Sequence, residues 1–364
     1  MQPSTKKELP AMNKTLVIIL IIATSLIIAA VLFLANAFGT QMTAIRSIRR
    51  IGHADAPLYY MEYNGDYGFD RFLEQGGATS DDAVAVYLTD YLSHGMIKQN
   101  IESTDFACST LSAVNAEGET VFGRNFDWDY CVTVIIRTRP KEGYASLSTC
   151  NLNFVSGGKP FDPQRDIVSG MLTIGGIYVP QDGINEKGLA VADLVIDGLP
   201  EKETHQNRGR TPLTTSTAIR LLLDRAATVD EALALLEQYD MHSSAGMVHH
   251  LSIADASGRS VVVEFFGDSM YVTETPAVTN FVMAEHEYKG MGTGTCHERY
   301  EKLMAAREAA GGIMSEAKIA CAMESVKETT AWTTVCNLEK LTYKLYFRGD
   351  FSVAYEYSLS ADSE

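Results

Sequence analysis

The chain has 364 residues, 46% of them hydrophobic and 21% charged, which is globular-protein content and enough for a sizeable core in one large domain or two ordinary ones. Its 30 basic and 46 acidic side chains leave a formal charge of -16, a field that repels nucleic acid and argues against DNA or RNA as partners. The cysteines, Cys108, Cys131, Cys150, Cys296, Cys321 and Cys336, contain no CxxC spacing, which argues against a structural zinc site.

Leu16 to Ala35 is apolar apart from Thr24 and Ser25, and its 20 residues are long enough to cross a bilayer as a helix. Lys6, Lys7 and Lys14 precede it, and Arg46, Arg49 and Arg50 follow it. Ala35-Asn36-Ala37 is a small-x-small sequence that a signal peptidase could cut, but the length favours an uncleaved anchor over a signal peptide. The N-terminal position puts the main body outside the cytoplasm, either anchored or secreted. Residues 1–38 thus read as cytoplasmic tail and membrane anchor or signal segment, 39–107 as a small upstream segment, and 108–364 as the main body.

In the upstream segment Tyr59-Tyr60-Met61 reads as a strand. A helix starts at the N-cap Ser80, with Asp81 and Asp82 at its positive end, and stops at Gly95. Gly65, Gly68, Gly76 and Gly77 make the rest loop-rich. The main body opens with a hairpin, Ser109–Asn115 and Glu119–Gly123, around Ala116-Glu117-Gly118. A second hairpin, Val132–Arg139 and Tyr144–Phe154, turns at Pro140–Gly143; its Cys131 and Cys150 either pair in an oxidising compartment or stay as buried free thiols. Helices are expected at Pro212–Ala227 and, behind the capping box Thr228-Val229-Asp230-Glu231, at Asp230–Tyr239. Strands follow at Val248–Ala254, Ser260–Phe266, Met270–Thr275 and Ala277–Val282. Helices near Glu298–Ala310 and Ser315–Val326 precede strands at Thr333–Phe347 and Phe351–Tyr357. Antiparallel runs interrupted by helix pairs argue for sheets covered by helices.

The chemistry-bearing candidates begin with Cys108, at the start of the first strand. Alone, such a cysteine is more often a small core residue than a nucleophile. The return strand of its hairpin carries Gly123-Arg124-Asn125-Phe126-Asp127-Trp128, and the hairpin brings Arg124 and Asp127 close to the thiol. An arginine beside a thiol favours the reactive thiolate, although the same spacing suits a surface Arg–Asp pair equally well. His249-His250 has no spaced third ligand for a metal. The Gly157-Gly158 and Gly290–Gly294 stretches lack the strand–turn–helix context of a phosphate loop. Trp128 and Tyr130 read as core packing or as an acyl pocket, and the polar run 196–210 as a loop at the mouth of a site.

Cys108-Ser109-Thr110 followed by Gly123-Arg124-Asn125-Phe126-Asp127 resembles the mature N-terminus of the choloylglycine hydrolase and penicillin V acylase family, to which acid ceramidase and N-acylethanolamine acid amidase are related. Asp182 to Leu189, Leu251 to Glu264, Val278-Thr279-Asn280, Glu298-Arg299-Tyr300 and Leu338-Glu339-Lys340 extend the resemblance, in order, to about Phe347. It implies an α+β fold, the four-layer αββα sandwich of N-terminal-nucleophile hydrolases, and no metal or organic cofactor. It also implies cleavage of the Ala107–Cys108 bond, freeing an α-amine that accepts the thiol proton. Cys108 then attacks a linear N-acyl amide and forms a thioester. Asn280 and the backbone N–H of Val195 serve the oxyanion, Asp127 holds the amine, and Arg124 and Arg299 supply positive charge. Many bile-salt hydrolases of the family have asparagine where Val195 stands; the backbone donor survives that change but a side-chain contact does not, which argues against bile-salt specificity more than against catalysis. The 107 residues before Cys108 match the acid-ceramidase-like arrangement, in which the upstream piece stays as a second chain. The alternatives are an acyltransferase on the same scaffold and a non-catalytic, membrane-tethered binding module.

Overall fold

The structure, a computed structural model, describes residues 14–53, 56–98, 107–128, 131–157, 161–196, 198–292 and 294–360. It opens with a long helix, α1 (Lys14–Ser47), then β1 (Arg49–Arg50), β2 (Leu58–Asn64), α2 (Phe69–Glu74) and α3 (Asp81–Ser93). The main body continues through β3 (Ala107–Val114), β4 (Thr120–Asp127), β5 (Thr133–Arg139), β6 (Ser146–Asn151), α4 (Asn153–Ser156), α5 (Ile167–Ile174), β7 (Asp182–Asn185) and β8 (Ala190–Ile196). Next come β9 (Thr211–Thr214), α6 (Thr215–Arg225), α7 (Val229–Leu236), β10 (Tyr239–His242), β11 (Val248–Ala254), β12 (Ser260–Phe266), β13 (Ser269–Glu274) and β14 (Ala277–Val278). The chain ends on α8 (Cys296–Ala309), α9 (Glu316–Ser325), β15 (Thr330–Asn337), β16 (Thr342–Phe347) and β17 (Asp350–Ser358).

The fold is mixed α+β, and strand alternation explains its layering. One sheet runs β1-β2-β5-β6-β7-β8-β11-β12-β13 and a second runs β14-β3-β4-β15-β16-β17. Successive strand residues point to opposite faces. Tyr59, Met61 and Tyr63 of β2 therefore join Val84 and Leu88 of α3 and Leu222 of α6 in a cluster under the helices, while Leu58 and Tyr60 face the second sheet. Cys108, Phe126, Ile135, Leu194 and Trp332 belong to the cluster between the sheets. Leu111, Ala113 and Val121 pack on the other side of the second sheet against Leu303 of α8 and Ile319 and Met323 of α9. The upstream segment is part of this architecture, because β2 pairs in parallel with β5 from Leu58↔Thr133 to Asn64↔Arg139.

Several expectations hold with small shifts. The Ser80 side chain accepts the Ala83 N–H at the head of α3, and Thr228 accepts the Glu231 N–H at the head of α7. Other expectations are corrected. The helix expected from Pro212 begins at Thr215, because residues 211–214 pair in parallel with β10 and Thr214 caps α6 by accepting the Thr217 N–H. The strand expected over 277–282 stops at Val278. The terminal run 333–347 divides into β15 and β16 around a turn in which Leu341 takes a φ of 57° and the Asn337 side chain accepts the Lys340 N–H. One turn of the loop-rich stretch, Phe69–Glu74, is helical. All six cysteines are free, so Cys131 and Cys150 are buried thiols.

Among the described residues no helix is long and apolar enough to cross a membrane. The apolar stretch 16–35 lies in α1, where the described side chains are those of residues 18–29, all exposed, and of residues 38–47. The rest of the expected anchor, the Ala35–Ala37 side chains and the tail at 1–13 lie outside the described residues.

Gly123 of β4 lies under α9. A Cβ there would overlap Ile319 Cγ2 and sit 3.0 Å from Met323 Cγ. Gly123→Ala should therefore overpack this layer and cost about 1–3 kcal/mol in urea unfolding, with α9 displaced. An unchanged unfolding midpoint would mean that α9 moves away freely.

Candidate active site

The β3–β4 hairpin sets the site by register. Cys108 lies opposite Phe126, Thr110 opposite Arg124, and Ala107 opposite Asp127. Cys108 and Arg124 thus share the face turned to the other sheet and are diagonal neighbours, within reach of a long side chain. Arg124 Nη2 donates to Cys108 Sγ at 3.3 Å and to Asp193 O at 3.2 Å. Its guanidinium is fully buried and lies 4.7 Å from the centre of the Phe126 ring.

The opposing sheet supplies the counter-charges. Asp182 Oδ2 of β7 is 3.5 Å from Arg124 Nη1, and Asp193 Oδ1 of β8 is 3.6 Å from Nη2. Asp182 is itself held by Trp332 Nε1 at 2.7 Å and the Tyr343 hydroxyl at 2.8 Å. Burial raises the Asp182 pKa, against the pull of Arg124 and these two donors. Sequence reasoning quoted Asp182 only as part of a motif and missed Asp193. The available signal was an ionisable residue in each of two otherwise apolar segments that read as buried strands.

The early stop of β14 has a local cause. Val278 pairs with Thr110, so the next in-register position beside Cys108 belongs to Asn280. There a side chain replaces the backbone ladder, and Asn280 Oδ1 accepts the Cys108 N–H at 2.8 Å. Asn280 Nδ2 donates to Val195 O across the sheets at 2.7 Å, and Arg299 Nη2 donates to Asn280 Oδ1 at 2.7 Å. Three partners orient this amide one way only. One hydrogen of Asn280 Nδ2 is thus engaged by Val195 O, and an amide nitrogen carries a second.

Arg299 reaches the site from α8, on the helix side of the second sheet. Its Nη1 donates to Cys108 O and Ser109 Oγ, each at 2.7 Å, and lies 3.7 Å from Asp127 Oδ2. Asp127 also accepts from the Thr330 hydroxyl. The nucleophile candidate is thus gripped through its backbone from one side while its thiol points to the other. Thr330 lines a cavity of ≈ 490 Å³ together with Trp128, Cys131, Phe347 and Arg348. Trp128 stacks on Phe126 as well, and Tyr130 lies outside the described residues. The 196–210 connection is tied elsewhere, through Arg208 to Asp240 at 3.0 Å and through the Asn207 N–H to Asp268 at 2.7 Å. His249 and His250 face separate carboxylates, Asp193 at 3.3 Å and Glu264 at 3.1 Å. Among the described residues no group of three or more His, Cys, Asp or Glu side chains could hold a metal ion.

This site is closed and electrostatically quiet. Cys108 is 0% exposed, and burial pushes its thiol up to about 12; Arg124 opposes that rise, while Asp193 and Asp127 add to it. Burial also lifts the Asp127 carboxyl to about 6, against the Thr330 hydrogen bond and Arg299. A carboxyl with a raised folded pKa binds its proton more tightly folded than unfolded. Its contribution to stability is present below its ordinary value of about 4 and is lost as pH rises through 6. In a chain kept whole by Cys108→Ala, urea unfolding at pH 4 and pH 7 should differ by about 2 kcal/mol more than in the same chain carrying Asp127→Asn. An equal difference in both chains would assign the titration to another group.

A family model for linear amide C–N hydrolases, choloylglycine hydrolase family, matches residues 108–293, so the match begins at Cys108. Among solved structures, a mutant conjugated bile acid hydrolase from Clostridium perfringens aligns with a TM-score of 0.50 and 17% identity over 69% of this chain and 92% of that one. Penicillin V acylase from Agrobacterium tumefaciens aligns with a TM-score of 0.42 and 16% identity over 70% and 86%. No curated protein matches by sequence. With just over half of its length under that family model, the chain belongs to the choloylglycine hydrolase family and is a linear amide C–N hydrolase.

Proposed function

We propose that this chain hydrolyses an N-acyl amide through a Cys108 thioester, after cutting itself between Ala107 and Cys108. The observation that carries this reading is the pairing of Cys108 Sγ with Arg124 at 3.3 Å and of the Cys108 N–H with Asn280 at 2.8 Å. The strand order, helices outside and two sheets within, supports reading the fold as the four-layer αββα sandwich of N-terminal-nucleophile hydrolases.

In the intact chain the thiol is the dormant form, since the thiolate is the nucleophile. In the cut, Cys108 Sγ attacks the Ala107 carbonyl carbon, the C–N bond breaks and the nitrogen takes the thiol proton. Water then hydrolyses the thioester, leaving the Ala107 carboxylate, a free thiol and an α-amine. That amine has an ordinary pKa of about 7.7–8.0, so it can take the thiol proton near neutrality. Asn280 Oδ1 remains its acceptor, and Asp127, opposite Ala107 in the hairpin, balances its charge. In the catalytic cycle Cys108 attacks the substrate amide, and the amine protonates the leaving nitrogen. Asn280 Nδ2 offers its second hydrogen to the oxyanion while the first stays on Val195 O, and the Val195 N–H joins it. One such donor is typically worth about 3–4 kcal/mol. Arg124 steadies the thiolate and Arg299 the Cys108 backbone, and water releases the acid. The aromatic wall of Trp128 and Phe347 suits the acyl part.

The upstream segment stays docked after the cut in this reading, because β2 is an integral strand of the larger sheet. The apolar run 16–35 anchors the chain with the catalytic part outside the cytoplasm, unless a signal peptidase releases it.

Intact mass and N-terminal sequencing of the purified full chain test the reading. A cut before Cys108, absent in Cys108→Ala, is expected. Iodoacetamide labelling of Cys108 near neutral pH should rise by at least about tenfold on processing. A chain that stays whole when folded removes self-processing and leaves either cutting by an outside protease or the non-catalytic binding module as the better account.

A further inference from the structure

One buried side chain that this mechanism leaves unused joins the site to the upstream segment. His249 of β11 has 2% of its side chain exposed. Its Nε2 lies 3.0 Å from Ser244 O, which only accepts, so Nε2 carries a hydrogen. Its Nδ1 lies 3.3 Å from Asp193 Oδ2, and the other oxygen of that carboxylate is 3.6 Å from Arg124 Nη2, the nitrogen that contacts Cys108 Sγ. With acceptor oxygens at both ring nitrogens, the contact with Asp193 attracts only when one proton is held between the two residues. On the far side, Ala245, next to Ser244, takes a φ of 68°, and its N–H donates to Asp81 Oδ2 at 2.7 Å, at the head of α3. The charged groups facing the ring are Asp193 from β8 and Asp81 from α3, with Arg124 of β4 behind Asp193.

The charges near the thiol give this contact a purpose. Among the described residues the carboxylates of Asp127, Asp182 and Asp193 face the guanidiniums of Arg124 and Arg299. A Cys108 thiolate therefore competes with Asp182 and Asp193 for the Arg124 charge. We propose that His249 is a positioning residue for the nucleophile: by sharing a proton with Asp193 it masks that carboxylate, leaving the Arg124 charge to the Cys108 thiolate. This rests on the reading of Cys108 as nucleophile. It also makes the head of α3, through Asp81 and the Ser244-Ala245 turn, a support of the site.

The test is the pH profile of Cys108 alkylation by iodoacetamide in the processed full chain, followed by mass. His249→Ala should move the midpoint up by about one pH unit and slow alkylation at neutral pH about tenfold, because Asp193 then acts unmasked. His249→Gln keeps an N–H for Ser244 O but loses the Asp193 contact, so it should shift the profile likewise; it serves if the alanine variant does not fold. Adding Asp193→Asn to either variant should return the midpoint to within about 0.3 of the wild-type value, since nothing is left to mask. A merely structural role predicts that the shift persists or grows in the double variant. A wild-type midpoint in the single variants, or a shift that persists in the double, overturns the proposal. A wild-type chain that is neither cut nor labelled at Cys108 sinks the nucleophile reading and takes this proposal with it, whereas labelled wild type with unshifted variants sinks this proposal alone.

Discussion

A fully buried guanidinium has to be neutralised where it stands, and Arg124 is the one around which this site is arranged. Removing water from such a charge costs several kcal/mol, recovered only by well-placed opposite charge and hydrogen bonds. Here Asp182 and Asp193 supply the charge from the facing sheet, Asp193 O and Cys108 Sγ accept, and the Phe126 ring covers a face. The two sheets are therefore not interchangeable slabs with grease between them. Their relative position is tied to the distance between a β4 guanidinium and two carboxylates on β7 and β8. Trp332 and Tyr343, large side chains of the inter-sheet layer, spend their polar atoms on Asp182 and so belong to the same arrangement.

The same burial that requires these partners holds the Cys108 thiol protonated. Desolvation outweighs the arginine beside it, so Cys108 sits in a reactive constellation in an unreactive protonation state. Its peptide nitrogen is already placed against Asn280, and its carbonyl against Arg299. In the proposed reading, breaking the Ala107–Cys108 bond makes that nitrogen the base.

The upstream segment is bound into this scaffold by the strongest means a fold offers. β2 contributes a full parallel ladder to β5, its side chains enter both neighbouring clusters, and α3 touches the Ser244-Ala245 turn through Asp81. In the proposed reading, a segment held in this way stays when the backbone is cut beyond it. Its loss would expose a strand edge and two apolar faces.

The sequence by itself determined the hairpin that joins Cys108, Arg124 and Asp127, because register follows from a short turn and needs no distant contact. It also determined the caps at Ser80 and Thr228 and the paired strands at 248–266, all local. The resemblance supplied Asn280 and Arg299, and the structure brings both to the Cys108 backbone. Only the tertiary structure decided that β14 stops at Val278 so that the Asn280 side chain can take over the Cys108 N–H, that residues 211–214 pair with β10 instead of starting a helix, and that Asp182, Asp193 and His249 converge on Arg124. These outcomes depend on groups 28 to 172 residues apart, as with Thr211 and Tyr239 or Cys108 and Asn280, and on the desolvation that follows when two sheets close. No local periodicity encodes which buried charge will meet which, because that choice is made by the packing that excludes water from both.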